Sequence, residues 1–198
     1  MKHLSITLLI VLFVSPIYSQ TRKSSPATVE TVSGIPFFIF SEPASEYEVV
    51  GKAMSFGNMI NMSVDEKTEL KQKAKKVVTK ALERKEAGKT PEFDAILIKL
   101  DSDKMQVIKF KNTVSTDATV ENCKDVPVYF FSKPVNDYET VATLPADYSN
   151  RAKRGLLFDK IRSMMKRTIE KEKNGEIEHF DAVIINPDDL SETLIRFK

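Results

Sequence analysis

The chain has 198 residues, with 30 Lys and Arg against 28 Asp and Glu, 41% hydrophobic residues and no Trp. That hydrophobic share is enough for a packed core, and the near-balance of charge excludes a dedicated nucleic-acid binder, whose footprint is strongly basic. One Cys and two His are too few to make a zinc tetrad without carboxylates.

The N-terminal residues Met1-Lys2-His3 are followed by an apolar run, Leu4 to Val14, and by a break at Pro16 that leads to Ser19 and Gln20. This pattern predicts a secretory signal peptide over residues 1–19, because the apolar run falls short of the roughly 20 residues that span a bilayer. Cleavage near Ser19/Gln20 places the protein in the periplasm or outside the cell. No later stretch is long or apolar enough for a transmembrane segment in the mature chain, and no Cys follows the run to carry a lipid. Removing the segment takes away one charged residue, Lys2, and leaves 29 basic residues against 28 acidic.

After a flexible segment, residues 20–26, the chain writes a similar sentence twice. Residues 27–50 and 118–141, 91 positions apart, are identical at 11 of 24 positions, including Pro36/Pro127, Phe40/Phe131, Ser41/Ser132, Pro43/Pro134, Tyr47/Tyr138 and Glu48/Glu139. Farther on the offset becomes 87: Gly88 meets Gly175, the Phe-Asp-Ala of 93–95 meets that of 180–182, and "IKFK" meets "IRFK". Self-similarity of this kind fixes the symmetry of a fold, and two copies are too few for a solenoid. The expected organisation is a tandem duplication, repeat 1 over 27–117 and repeat 2 over 118–198.

Within repeat 1, Ile35 to Phe40 and Tyr47 to Met54 are rich in strand formers and read as two strands joined by a loop. Ser63-Val-Asp-Glu66 is a capping box that opens a helix, along which Leu70, Ala74, Val77, Val78, Ala81 and Leu82 form an apolar stripe. Gly88 marks the helix end, Phe93 to Leu100 and Met105 to Lys111 are strands, and Asp101-Ser-Asp-Lys is a turn. The counterpart stripe in repeat 2 is Leu157, Ile161, Met164, Met165, Thr168 and Ile169, with Thr168 its polar exception. Gly175 then ends the helix, Phe180 to Ile185 and Thr193 to Lys198 are strands, and Asn186-Pro-Asp-Asp is the turn. The fold class is α+β: two strand-strand-helix-strand-strand repeats, each a small mixed sheet with one helix packed on a face.

The order Tyr47-Glu48-x-x-Gly51, an amphipathic helix, then Phe93-Asp94-Ala95 resembles small exported bacterial modules in the superfamily of the Rcs-pathway outer-membrane stress-sensor lipoprotein. There a Tyr-Glu-x-x-Gly strand precedes a helix and a Gly-Ala-Asp-Ala-type strand. The likeness spans about half of each repeat, and the sensor's lipid-bearing Cys and disulfides have no match here, so its sensing role does not transfer. The tandem arrangement with its Tyr-Ser-Gln processing site resembles exported proteins of Bacteroidota-type bacteria.

Catalytic machinery is sparse. His179 is the one imidazole of the mature chain and stands without a nucleophile motif, so it reads as a surface residue. The Asp101/Asp103 and Asp188/Asp189 turns carry too few oxygens for a calcium loop, and the glycines are too scattered for a phosphate loop. No catalytic residue, cofactor or metal site is assigned. Cys123 aligns with Val32 and reads as a small buried residue. Lys71, Lys73, Lys75, Lys76 and Lys80, and the basic run from Arg151 to Arg167, are read as solvated helix faces that leave room for contact with an anionic surface.

The candidate binding residues are the repeated polar set Ser41, Tyr47 and Glu48 with Ser132, Tyr138 and Glu139. Loop chemistry accounts for them if Ser bonds nearby main chain and Glu accepts loop N–H groups. Recognition accounts for them if Tyr anchors a partner and Glu accepts its donors. The expected function is a non-enzymatic exported binding or interaction module, its partner an unidentified protein or envelope component and not nucleic acid. The alternative is a hydrolase using Glu48 and Glu139.

Overall fold

The computed structural model describes residues 25–55, 70–99, 104–146 and 157–198. The expected signal peptide, the expected capping box at Ser63 and Glu66, the expected Asp101/Asp103 turn and part of the Arg151 to Arg167 run lie outside them. The first half contributes β1 (Pro26–Val29), β2 (Thr31–Val32), β3 (Ile35–Ile39), β4 (Ser41–Pro43), β5 (Tyr47–Ser55), α1 (Leu70–Glu86), β6 (Ala95–Ile98) and β7 (Lys104–Phe110). The second contributes β8 (Asp117–Val120), β9 (Asn122–Cys123), β10 (Val126–Phe130), β11 (Ser132–Pro134), β12 (Tyr138–Leu144), α2 (Leu157–Lys173), β13 (Ala182–Ile185) and β14 (Glu192–Phe197). Among the described residues the fold is α+β, mostly sheet with two helices, and its large sheet is mixed.

The expected pair of small sheets is replaced by shared ones. A 10-stranded sheet runs β12-β14-β13-β10-β3-β6-β7-β5, with β2 on β3 and β9 on β10 as hairpin partners. Its two halves meet where Phe130 lies opposite Ile39 in the antiparallel β3/β10 contact. A second, 4-stranded sheet, β11-β1-β8-β4, exchanges strands between the halves. There β1 pairs β11, β8 pairs β4, and Ala27 lies opposite Ala118 at the centre. In both central contacts the facing residues are 91 positions apart. The six short strands of the small sheet and the hairpins were not legible as strands, because two to four residues carry almost no periodicity.

The apolar strands follow from this layering. β3 and β6 run parallel, as do β10 and β13, and each is covered on both faces. Phe37, Ile39, Ile96, Ile98, Val128 and Phe130 pack toward the helices. Their alternating neighbours Phe38, Leu97 and Tyr129 pack with Ala27, Val29, Ala118 and Val120 of the small sheet. Tyr129 is the polar departure of that layer: its hydroxyl donates to the Pro26 carbonyl at 3.3 Å, and burial pushes its pKa up to about 12.

The helix stripes are buried as the spacing predicts, Ala74, Val77, Val78 and Ala81 on α1 and Ile161, Met164, Met165 and Thr168 on α2. Both helices end as expected, with Gly88 at φ 66° and Gly175 at φ 74°. The following N–H closes each end, Lys89 to the Arg84 carbonyl at 2.8 Å and Glu176 to Lys171 at 2.9 Å. Edge strands β5 and β12 carry register shifts at equivalent places, Val49/Gly51 and Thr140/Ala142. A side chain at Gly51 would meet Val107 Cγ2 at 3.1 Å.

Because the two halves share both sheets, urea unfolding should be a single cooperative transition. Phe130→Ala should lower the unfolding free energy by about 3–5 kcal/mol. Two resolved transitions by fluorescence and circular dichroism would contradict a shared core.

Candidate functional site

The repeated polar set does not assemble into one site. Glu48 and Glu139 lie on β5 and β12, the two ends of the large sheet's strand path, seven strand spacings of roughly 4.8 Å apart. A two-carboxylate hydrolase holds its carboxyls within about 10 Å, so these residues cannot serve one together. Each is exposed and faces a basic residue across the strand pair, Glu48 opposite Lys109 and Glu139 opposite Arg196. The Arg196 guanidinium donates to Glu139 at 3.3 Å, so this carboxylate pairs with a side chain and not with loop N–H groups as expected.

Tyr47 and Tyr138 also diverge. The Tyr47 hydroxyl donates to Glu42, which pairs with Lys99 at 3.0 Å. Burial, followed by the bond to Glu42 and the charges of Glu42 and Glu121, drives its pKa well above the ordinary tyrosine value. In the second half Lys133 stands where Glu42 does, and Tyr138 is 40% exposed.

Ser41 and Ser132 are the larger surprise. They follow Phe40 and Phe131, both at φ 54°, where the chain turns out of the large sheet and into the small one. Both are buried, at 0% and 5% exposure, and neither hydroxyl has a hydrogen-bond partner. The expected bond from Ser to main chain is therefore absent. The corner is held by backbone instead: Phe40 N–H bonds the Ile98 carbonyl at 3.0 Å, and the Phe40 and Phe131 carbonyls accept from Glu121 and Glu30 at 2.7 and 2.8 Å.

Several polar residues prove to be fasteners. Asp94 and Asp181 of the repeated Phe-Asp-Ala each accept a backbone N–H, from Phe110 and Phe197, at 2.9 Å. His179 is on the surface as expected, 59% exposed, with Nδ1 2.6 Å from Glu172. Its counterpart Glu92 pairs with Lys85 at 2.9 Å, so the same tie from helix end to strand is made with the carboxylate and its nitrogen partner exchanged. Cys123 is buried in β9, and burial raises its thiol pKa.

Two cavities lie where the halves differ. The first, about 340 Å³, is lined by Glu30, Thr31, Val32, Ser33, Lys71, Lys75 and Phe131. The counterpart of Lys71 is Phe158, which is buried and packs its ring 5.1 Å from that of Phe40, the counterpart of Phe131. The groove thus corresponds to a place that an aromatic ring fills in the second half.

The second cavity, about 50 Å³, lies between α2, the end of β12 and the start of β14, beside Leu144, Met164, Arg167, Thr168, Lys171 and Glu192. Glu192 is 4% exposed, and the Thr168 hydroxyl donates to its Oε2. Burial raises the Glu192 pKa, opposed by the Thr168 bond and by Arg167 and Lys171. The counterpart positions hold Ala81 and Met105, both in the apolar core. Thr168 was visible in the sequence as a polar interruption of the stripe. Glu192 was not, because only the fold brings it under that residue.

Ser41→Ala with Ser132→Ala should leave stability unchanged or raise it by up to about 1 kcal/mol, since an unpartnered buried hydroxyl is removed at little cost in volume. A lower melting temperature would show that the hydroxyls are bonded in solution.

For Glu192 the native pKa lies above the unfolded value near 4.5, so the native state binds the proton more tightly. Its contribution is then most favourable below that value and is lost as pH rises through the native pKa. Glu192→Gln should accordingly melt above the wild type at pH 7, with the difference shrinking toward pH 4. No protein-family model, curated protein or solved structure matches the chain.

Proposed function

We propose that the chain is an exported, non-enzymatic binding module built by internal duplication, and that its ligand enters the groove beside Phe131. Duplication is supported by the 11 identities in residues 27–50 and by facing residues 91 positions apart in both central strand contacts. Export rests on the signal-peptide pattern of residues 1–19.

The observation that carries the binding reading is the groove itself. At about 340 Å³ it falls within the size of small-molecule sites. It opens where Lys71 replaces the ring that its counterpart Phe158 supplies. Lys71 and Lys75 bring two ammonium groups to its lining, Thr31 and Ser33 bring hydroxyls, and Val32 and Phe131 apolar surface. Glu30 and Asp188, the latter paired with Lys71 at 3.1 Å, partly offset that charge. The arrangement suits a small organic anion with an apolar body, and an anionic envelope component has that chemistry.

Lys71→Phe restores the ring found in the other half and should close the groove. Protein recovered from the exported fraction should begin at Gln20, and denaturing mass spectrometry should release a low-mass anion from wild type but not from Lys71→Phe. Equal ligand release from both, with the variant melting at or above wild type, would overturn the assignment of the groove.

A further inference from the structure

We propose that the cavity above Glu192 is a second binding site, for a small zwitterion that carries a primary ammonium and a carboxylate, entered ammonium first. It lies between α2 and the strands β12 and β14, apart from the groove beside Phe131, and does not depend on the reading of that groove.

A carboxylate is out of place at the bottom of an apolar stripe. Ala81 and Met105 show that the fold fills this position with hydrocarbon, and replacing such a pair with a hydroxyl and a carboxyl costs stability unless the charge gains a partner. Thr168 satisfies Oε2. Among the described residues no other side chain bonds to Glu192, so Oε1 is left for whatever occupies the cavity.

The volume limits what that is. About 50 Å³ holds a few waters or a single ammonium head, and not the body of a larger ligand. An ammonium on Oε1 would restore the charged form of the carboxylate, which burial otherwise disfavours. A simple cation is a poor candidate, because Arg167 and Lys171 stand beside the same cavity and repel positive charge. A ligand with a carboxylate behind its ammonium turns that repulsion into attraction. Lys171 lies three residues beyond Thr168 on the same helix, with Cβ atoms about 5–6 Å apart, and lines the same cavity, so its ammonium is the counter-charge for the ligand's carboxylate. Leu144 and Met164 would flank the intervening methylenes.

Calorimetry at pH 7 with glycine, β-alanine and γ-aminobutyrate, each compared with methylammonium and acetate, tests this directly. At least one zwitterion should bind 10-fold or more tightly than either single-charge probe and shift the amide resonances of Thr168 and Glu192. Glu192→Gln, which keeps the shape and should fold at least as stably, should weaken that binding at least 10-fold. Lys171→Gln should narrow the gap between the zwitterion and methylammonium, and Lys71→Phe should leave binding unchanged. The proposal is overturned if no zwitterion outbinds both single-charge probes, or if Glu192→Gln binds as the wild type does.

Discussion

The antiparallel contact of β3 with β10, Phe130 opposite Ile39, makes one structure of two similar halves. Alone, β3 with its parallel partner β6 would leave an open edge lined by Phe37, Phe38 and Ile39, all completely buried here. Such an edge templates further pairing, and meeting the matching strand of the other half closes it. In both halves the chain leaves the sheet immediately after this contact, at Phe40 and Phe131. A bulky residue with positive φ costs about 1–3 kcal/mol and persists only where its surroundings hold it. Three backbone hydrogen bonds of 2.7–3.0 Å at the two corners, together with ring contacts of Phe40 to Phe130 and of Phe131 to Phe37, supply that hold.

From the corners follows the small sheet. Once β4 and β11 are turned beneath the large sheet, β1 and β8 bridge them, each half's first strand lying beside the other half's corner strand. The exchange explains why the identities of 27–30 with 118–121 include Ala27 and Ala118: these residues face each other, and two small side chains fit beneath Phe38 and Tyr129. Pro43 and Pro134 sit on the outer strands of that sheet, where a missing N–H breaks no ladder.

Much of this was legible in the sequence and some was not, for physical reasons. The helix stripes, the glycine stops and the long strands announce themselves because periodicity over many residues reports burial on one side or both. The repeated Ser-x-Pro-x-x-x-Tyr-Glu was visible, but the loop hydrogen bonds expected of its Ser and Glu members are not what the fold makes of them. Two of its members, Ser41 and Ser132, are small residues at a sheet-to-sheet corner, and Glu48 and Glu139 are strand-surface residues opposite basic ones. Sequence similarity between halves says that a position matters and not whether it faces core or solvent. Whether two halves share a sheet depends on strand edges, which carry no side-chain signature. The two cavities were hidden for the same reason: Glu192 and Thr168 are 24 residues apart, and Phe131 meets Lys71 only through the exchange of strands.

The halves also act as controls for each other, and this separates polar residues that hold the fold from those that do something else. A fastening interaction survives a change of chemistry as long as its geometry survives: Lys85 with Glu92 becomes Glu172 with His179. Where the chemistry is indispensable it is kept, as with Asp94 and Asp181, which hold the same backbone N–H at the same distance. Glu192 with Thr168 fits neither pattern, since the other half builds the same turn of helix over the same strand with Met105 and Ala81. Nothing in the scaffold requires a carboxyl there, and burying it weakens the native state at neutral pH. Lys71 in place of a ring is the same kind of departure. Among the described residues, these are two positions at which one half gives up packing that its counterpart keeps.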